Sequence, residues 1–417
     1  MMIKKIILKR RLVSIAKLSN ILIIDQDKYK SGAAFNLLKK HELNEVMNLG
    51  KGWELVLDSN SPYVILRGNS LKNDLEGFFG TCYDMVQKGL DILSINGRGD
   101  ISISDGIDEY IIWWKENSKQ FIRIVRVTDF RMGASVEVTM TDKEGNVIEQ
   151  KKIKPTNYHE SLRYYRLSQI TEDLFDSFRN MYLSFEGLLS LQTKRKKGEK
   201  EGEWLKRGLN NINLKSLDNL FEDTGGSMVD KFYKQIYLNV RCSLFHAKEN
   251  AKRLVPQNLE DRKKVSNALG ILTHVVLMLA NKLLHINREN ALITKIGFSN
   301  LIGDNFDDYK ILLSGSEEPL SILEVSSDPI HQMSFGFEAR FSEELSVLGI
   351  SYFVGSIAPS DIIDTPRINR FSFQLEDVLF SVHEINKGLT LDNVDELQVH
   401  LGYRLENRNL PKNRFQY

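Results

Sequence analysis

The apolar positions change period twice along the chain, and the changes divide it into three regions. From residue 1 to 155, short alternating runs dominate. "WELVLD" and "YVILRG" read as strands, as do "DISIS", "YIIWW" and "FIRIVRV". "SVEVTMT" sets Val136, Val138 and Met140 on one face, and "DKEGN" then supplies a hairpin turn. One segment, "LKNDLEGFFGTCYDMVQKGLDIL", has helical spacing instead, with Leu75, Phe78, Phe79, Cys82, Met85 and Val86 on one side. If "YIIWW" is a regular strand, Trp113 and Trp114 point to opposite faces and one of them faces outward.

From 156 to 295 the period lengthens. Leu174, Phe178, Met181, Phe185 and Leu188 follow one another at steps of four and three, which is one continuous helical stripe. The run "KRKKGEKEGE" reads as an exposed loop before a helix that begins at "EWLKRGLNNI". "MVDKFYKQIYLNVRCSLFHAKEN" predicts another helix, with Phe232, Ile236, Val240 and Leu244 in register. A last helix starts near "NLEDRKK", capped by Asn258 or Asp261, and runs to about Ile286.

From 296 to 417 alternation returns. In "MSFGFEARF", Met333, Phe335, Phe337, Ala339 and Phe341 point one way, and "LSVLGISYFVG" and "RFSFQL" are further strands. "KGLTLDNVDELQVHLGYRL" reads as a short helix. The expected architecture is therefore α+β and multidomain. A central all-α bundle is flanked by an N-terminal α+β domain and a C-terminal β-rich domain.

Composition adds few constraints. A net charge of +1 leaves any nucleic-acid contact to local patches. Two cysteines, Cys82 and Cys242, are too few for a disulfide framework or a thiolate zinc site, which fits a reducing compartment. The basic N-terminal start lacks the continuous apolar core of a signal peptide. The most apolar run, "ALGILTHVVLMLANKLL", reads as a buried bundle helix rather than a membrane span. A cytoplasmic protein with no membrane partner is expected.

The familiar chemical signatures do not occur. There is no phosphate loop, no Gly-x-Gly-x-x-Gly, no nucleophile elbow and no His-Glu-x-x-His. None of the eight histidines stands at metal-ligand spacing from another, so neither metal nor cofactor is expected. What remains is "NVRCSLFHAK", with Arg241 and His246 five residues apart. Arginine offers a permanently charged planar fork suited to phosphate, and histidine exchanges protons near neutrality. Together they supply what metal-free RNA cleavage needs, because RNA carries its own 2′-hydroxyl nucleophile. One straight helix projects the two side chains about 140° apart. Convergence therefore requires a distorted helix, side chains bent toward one cleft, or a second copy of the motif facing the first.

With these residues in view, the middle region resembles a HEPN (higher eukaryotes and prokaryotes nucleotide-binding) domain. That family is a helical bundle whose catalytic members carry Arg, four to six residues, then His on a late helix. Here the matching residues are Arg241, "CSLF" and His246, with "FRNMYLSFEGLLS" similar to the family's first helix. Many catalytic members have a polar residue after the arginine, where this chain has Cys242. The resemblance implies a homodimer through the bundle and metal-independent cleavage of an RNA substrate. Arg241 and His246 would be catalytic, Glu186 would orient Arg241, and Lys248 would hold a flanking phosphate. It further implies a toxin or anti-phage effector, with a sensor or antitoxin as partner. The alternative is a non-catalytic interaction module that dimerises through the same bundle and whose outer domains bind a partner protein or a small nucleotide.

Overall fold

The computed structural model describes residues 15–25, 28–69, 74–104, 106–130, 143–144, 155–212, 214, 221, 225–244, 253–286, 297–298, 300, 302, 309–316, 335–347, 349–362, 367–375, 378–392 and 394–406. The chain forms two compact units. One joins residues 1–130 to 295–405, and the other holds residues 131–294 and 406–417.

The first unit is built on a single sheet. Its strands are β1 (Ile15–Leu18), β2 (Ile21–Asp25), β3 (Ser31–Asn36), β4 (Glu45–Gly50), β5 (Trp53–Leu57), β6 (Tyr63–Gly68), β7 (Glu109–Glu116) and β8 (Lys119–Phe130). After the second unit come β9 (Tyr309–Ser314), β10 (Phe335–Val347), β11 (Ile350–Ile357), β12 (Ile368–Leu375), β13 (Val378–Asp392) and β14 (Glu396–Leu405). Among the described residues these fourteen strands lie in the order β2-β1-β13-β12-β9-β10-β11-β14-β8-β7-β3-β6-β5-β4.

This order overturns the expected central all-α bundle with separate domains on either side. The N-terminal and C-terminal regions are halves of one sheet, and that sheet dominates a mixed α+β fold. The halves meet where β8 and β14 pair in parallel from Glu396↔Phe121 to Leu405↔Phe130, while every other strand pairing among the described residues is antiparallel. They are also interleaved, since β1 pairs with β13. Side chains reinforce the parallel seam. Arg404 donates to Asp129 at 2.7 Å and to Asp108 at 2.8 Å, and Arg123 donates to Gln398 at 2.8 Å.

Both faces of the central strands are covered, which is why alternation failed as a guide there. Trp113 and Trp114 are 0% and 3% exposed, so neither faces outward. Trp114 stacks on Phe121, with ring centroids 5.3 Å apart. Residues of β3, β6, β7, β8, β12 and β13, among them Ala34, Tyr63, Tyr110, Arg126 and Phe371, surround one small interior gap, so the sheet folds over on itself. The predicted C-terminal helix is likewise replaced by strands β13 and β14. Its pattern has period two where it matters: Leu397, Val399, Leu401 and Tyr403 are all buried. "DISIS" forms only an isolated bridge from Ile103 to Leu37, and "SVEVTMT" lies outside the described residues.

Helix α1 (Leu75–Ile95) packs on β3, β4 and β6. The Asp74 carboxylate accepts from the backbone N–H groups of Glu76 and Gly77, which fixes the helix start. Phe78, Cys82, Val86 and Leu90 recur at steps of four on the buried face.

The second unit is helical: α2 (Ser161–Ile170), α3 (Leu174–Gln192), α4 (Glu201–Leu209), α5 (Met228–Phe232), a π-helix (Tyr233–Arg241), α6 (Cys242–Leu244) and α7 (Leu259–Leu284). The α3 stripe is the centre of its core, where Phe178, Met181, Phe185 and Leu188 are fully buried. Asn258 caps α7 by accepting from the Asp261 N–H. Among the described residues α7 alone is long and apolar enough to cross a membrane, and its buried residues, from Val265 to Leu284, pack into this core.

Candidate functional site

The segment that carries Arg241 is not an ordinary helix. Nine residues, Tyr233–Arg241, wind as a π-helix, and the Cys242 N–H closes the last wide turn on the Tyr237 carbonyl five residues back. The Ser243 hydroxyl donates to the Leu238 carbonyl, again five residues back. Such stretches are rare beyond a single turn and collect at functional sites. Phe232, Ile236 and Val240 recur every four residues along it and all three are buried. A distorted helix, one of the three routes by which Arg241 could meet a histidine five residues on, is present immediately before the arginine, while His246 lies outside the described residues.

Three elements converge on Arg241. Tyr182 and Glu186 sit one turn apart on α3, Glu201 is the first residue of α4, and Tyr237 is four residues before Arg241 on the π-helix. The Arg241 Nη2 lies 3.0 Å from the Glu201 Oε1. Its guanidinium carbon lies 5.6 Å from the Tyr182 ring centroid and 5.5 Å from that of Tyr237, within cation–π range of both. Arg241 and Glu201 are both about a quarter exposed, at 24% each, so the pair is sheltered but reachable from solvent.

The electrostatics follow from this arrangement. Burial, acting with the charge of Glu201, raises the Glu186 carboxyl above the usual carboxylate range against the pull of Arg241 and Arg195. Burial also pushes the Tyr237 phenol up to about 12, with Glu201 adding to it, and burial lifts Tyr182 as well. Burial opposes the charge on Arg241, but Glu201 and the two tyrosines outweigh it and hold the guanidinium firmly protonated. The result is a fixed cation in a low-polarity notch beside two carboxyl groups.

Of the expected site residues, Arg241 lies among the described residues. The Cys242 side chain packs against the helical core as a small apolar group. His246 and Lys248 lie outside the described residues. Glu186 stands in the field of Arg241, and among the described residues a direct ion pair joins Arg241 to Glu201. Sequence reasoning placed Glu201 in an exposed loop. Residues 194–200 are such a loop, held together by Glu199, and α4 begins at Glu201. Glu199 takes two donors of Arg207 at 2.8 Å and the Lys196 N–H, while Arg195 donates to the Glu199 carbonyl. Lys194, Arg195, Lys196 and Lys197 point outward. Glu199, Glu201 and Glu203 alternate, and an acidic residue at every second position before a helical stripe was the available signal of a helix start.

Gly202 lets the cluster close. A Cβ there would lie 2.6 Å from the Tyr233 hydroxyl, and Tyr233 stacks on Tyr237 with centroids 5.1 Å apart. Among the described residues no cluster of His, Cys, Asp and Glu could hold a metal ion.

These features define a helical unit with an arginine–carboxylate–tyrosine cluster on a π-distorted helix. Over residues 161–280, from α2 into α7, the chain matches a protein family described as methylamine utilization protein MauJ. The match covers the region that resembles a HEPN domain and is compatible with a HEPN-like module. No curated protein and no solved structure matches the chain.

Proposed function

We propose that the helical unit is a HEPN-like endoribonuclease module that cleaves RNA without a metal. The observation that carries this reading is Arg241: a π-helix sets its charged fork in a sheltered notch with Glu201 and two aromatic faces to hold it. In the reaction, the 2′-hydroxyl of the substrate attacks the adjacent phosphorus. His246 takes the hydroxyl proton, and the 5′-oxygen leaves with a proton returned to it. The guanidinium of Arg241 offsets the charge that grows on the phosphoryl oxygens. The products are a 2′,3′-cyclic phosphate and a 5′-hydroxyl. Glu201 sets the plane of the fork before RNA arrives, and the incoming phosphate competes with it for the same donors. A two-fold dimer through the helical unit completes the site with a second copy of the motif. A cytoplasmic toxin or anti-phage effector, held in check by a sensor or antitoxin, is the biological role that fits this chemistry.

The test is incubation of the purified protein with total RNA in excess EDTA, beside Arg241→Ala and His246→Ala. Cleavage that survives EDTA, leaves cyclic phosphate ends and disappears in both variants is the expected result. Cleavage that persists in both variants removes the site assignment. No cleavage by the wild type favours a non-catalytic interaction module, a reading to which the Arg241–Glu201 pair also lends support as a purely structural contact.

A further inference from the structure

A second built site lies in the sheet unit, where the ladder between β12 and β13 is broken. Ile368 faces Leu389 but Arg370 faces Glu384, so two steps on β12 match five on β13. The residues 385–388 therefore bulge out of the sheet, with Lys387 and Gly388 both left-handed at φ of 55° and 69°. Bulges of this kind re-aim side chains and are common beside sites. Gly388 is required twice, by its φ and because a Cβ there would collide with the Asn369 side-chain oxygen. The β1–β2 turn docks against the bulge: the Ser19 N–H donates to the Gly388 carbonyl at 3.0 Å, and Arg367 donates to the Asn20 side chain at 2.6 Å.

Beneath the bulge opens a cavity of about 260 Å³, lined by Arg367, Asn369, Arg370, Glu384 and Lys387 together with neighbouring polar groups. Two of these side chains are buried and incompletely satisfied. Arg370 is 3% exposed; its Nη2 reaches Glu384 only at 3.4 Å, and its Nη1 has no hydrogen-bond partner. Asn369 is 7% exposed; it donates to the Gly315 carbonyl at 2.6 Å, and its Oδ1 has no partner. A native fold rarely leaves a buried guanidinium donor and a buried amide oxygen unmet in one place. A ligand that accepts from the first and donates to the second satisfies both.

We propose that this cavity binds a small phosphorylated polyol, such as a sugar phosphate. Three cations, Arg367, Arg370 and Lys387, face one carboxylate, Glu384, so the lining favours a doubly charged phosphate monoester. The buried Asn369 oxygen and the Glu384 carboxylate are acceptors and call for hydroxyl groups on the same molecule. Among the described residues of the lining Ile385 is the one apolar side chain and none is aromatic, so they offer a nucleobase no platform on which to stack. The space also exceeds what a phosphate group alone would fill, one water taking about 30 Å³ in the liquid.

The test uses the full-length protein with ribose 5-phosphate, inorganic phosphate and ribose as probes, read by calorimetry and by thermal unfolding. Ribose 5-phosphate is expected to bind saturably and raise Tm, with inorganic phosphate at least about tenfold weaker and ribose silent. Arg370→Met is expected to keep or raise Tm without ligand, since it removes a buried charge with poor compensation, and to weaken ribose 5-phosphate at least about tenfold. Lys387→Ala, on the exposed rim, is expected to leave Tm unchanged and to weaken binding as well. The proposal is overturned if the wild type shows no saturable binding of ribose 5-phosphate, or if inorganic phosphate binds as tightly. Unchanged affinity in Lys387→Ala and Arg370→Met overturns it too, as does a lower Tm of Arg370→Met with binding intact.

Discussion

The sheet unit and the helical unit solve the same problem, burying apolar surface, by opposite means. In the helical unit the partners of a buried residue lie mostly within the next hundred positions. The α3 stripe meets α4, the π-helix and α7 in one core. In the sheet unit the central pairing joins β8 to β14 across 275 residues, as in the bond from Arg404 to Asp129. Helical periodicity announces which face is buried and against nearby elements. Strand alternation announces a face but never a partner, and strands covered on both sides lose even that.

Substitutions can sharpen this contrast. The largest effect is expected at the centre of the helical core. Phe185→Ala leaves a cavity among Tyr182, Phe232 and their neighbours and should cost about 3–5 kcal/mol, measured by urea unfolding. At the parallel seam, Leu401→Ala should cost about 2–5 kcal/mol. Because that contact is long-range, refolding of the sheet unit should be slower than that of the helical unit, as stopped-flow fluorescence of a Trp204→Phe variant, which reports Trp53, Trp113 and Trp114, against a variant that keeps only Trp204 would resolve. Equal refolding rates would remove the contrast.

A smaller effect separates the units by pH. Burial lowers the His383 imidazole to about 3, with Arg126 adding to it. The unfolded chain binds a proton near pH 6.5 that the fold refuses down to about 3, so stability falls as pH drops through that window. Lowering pH from 7 to 5 should cost the sheet unit about 1–2 kcal/mol at this residue; burial lowers His400 to about 3 as well, so His383→Asn should remove only part of the dependence. Smallest is Asn258→Ala, which removes the α7 cap and should cost about 1 kcal/mol. Of similar size is Glu201→Gln, whose partly exposed pair with Arg241 is worth no more than about 1 kcal/mol, so a large change in RNA cleavage without a change in Tm would separate function from folding there.

Legibility in the sequence follows the same divide. The α3 stripe, the Asn258 cap and the buried face of α1 were readable because each is set by residues within a few turns. The fusion of the two flanking regions was not, because nothing in "FIRIVRV" specifies "LQVHLGY" as its neighbour. At the candidate site, Arg241 was singled out from its chemistry, and a distorted helix was one of three ways the spacing could be made to work. Glu201 was missed because a charge run looks alike whether its carboxylates face water or hold an arginine on another helix. The polar cavity under the β13 bulge was invisible, since it needs Asn20, Ser316 and Arg370 from three distant segments.

The parallel seam also sets a condition on synthesis. When β8 leaves the ribosome, one of its edges has β7, and the other must wait for β14, 275 residues later. At about 5–20 residues per second that edge stays open for roughly 15–55 s while the entire helical unit is made. An exposed strand carrying Ile122, Ile124 and Val127 is an invitation to pair with another nascent chain. Arg123 and Arg126 stand between those residues along the strand; Arg126 is already paired with Glu109 of β7, and the charge of Arg123 disfavours pairing of the open edge with another chain.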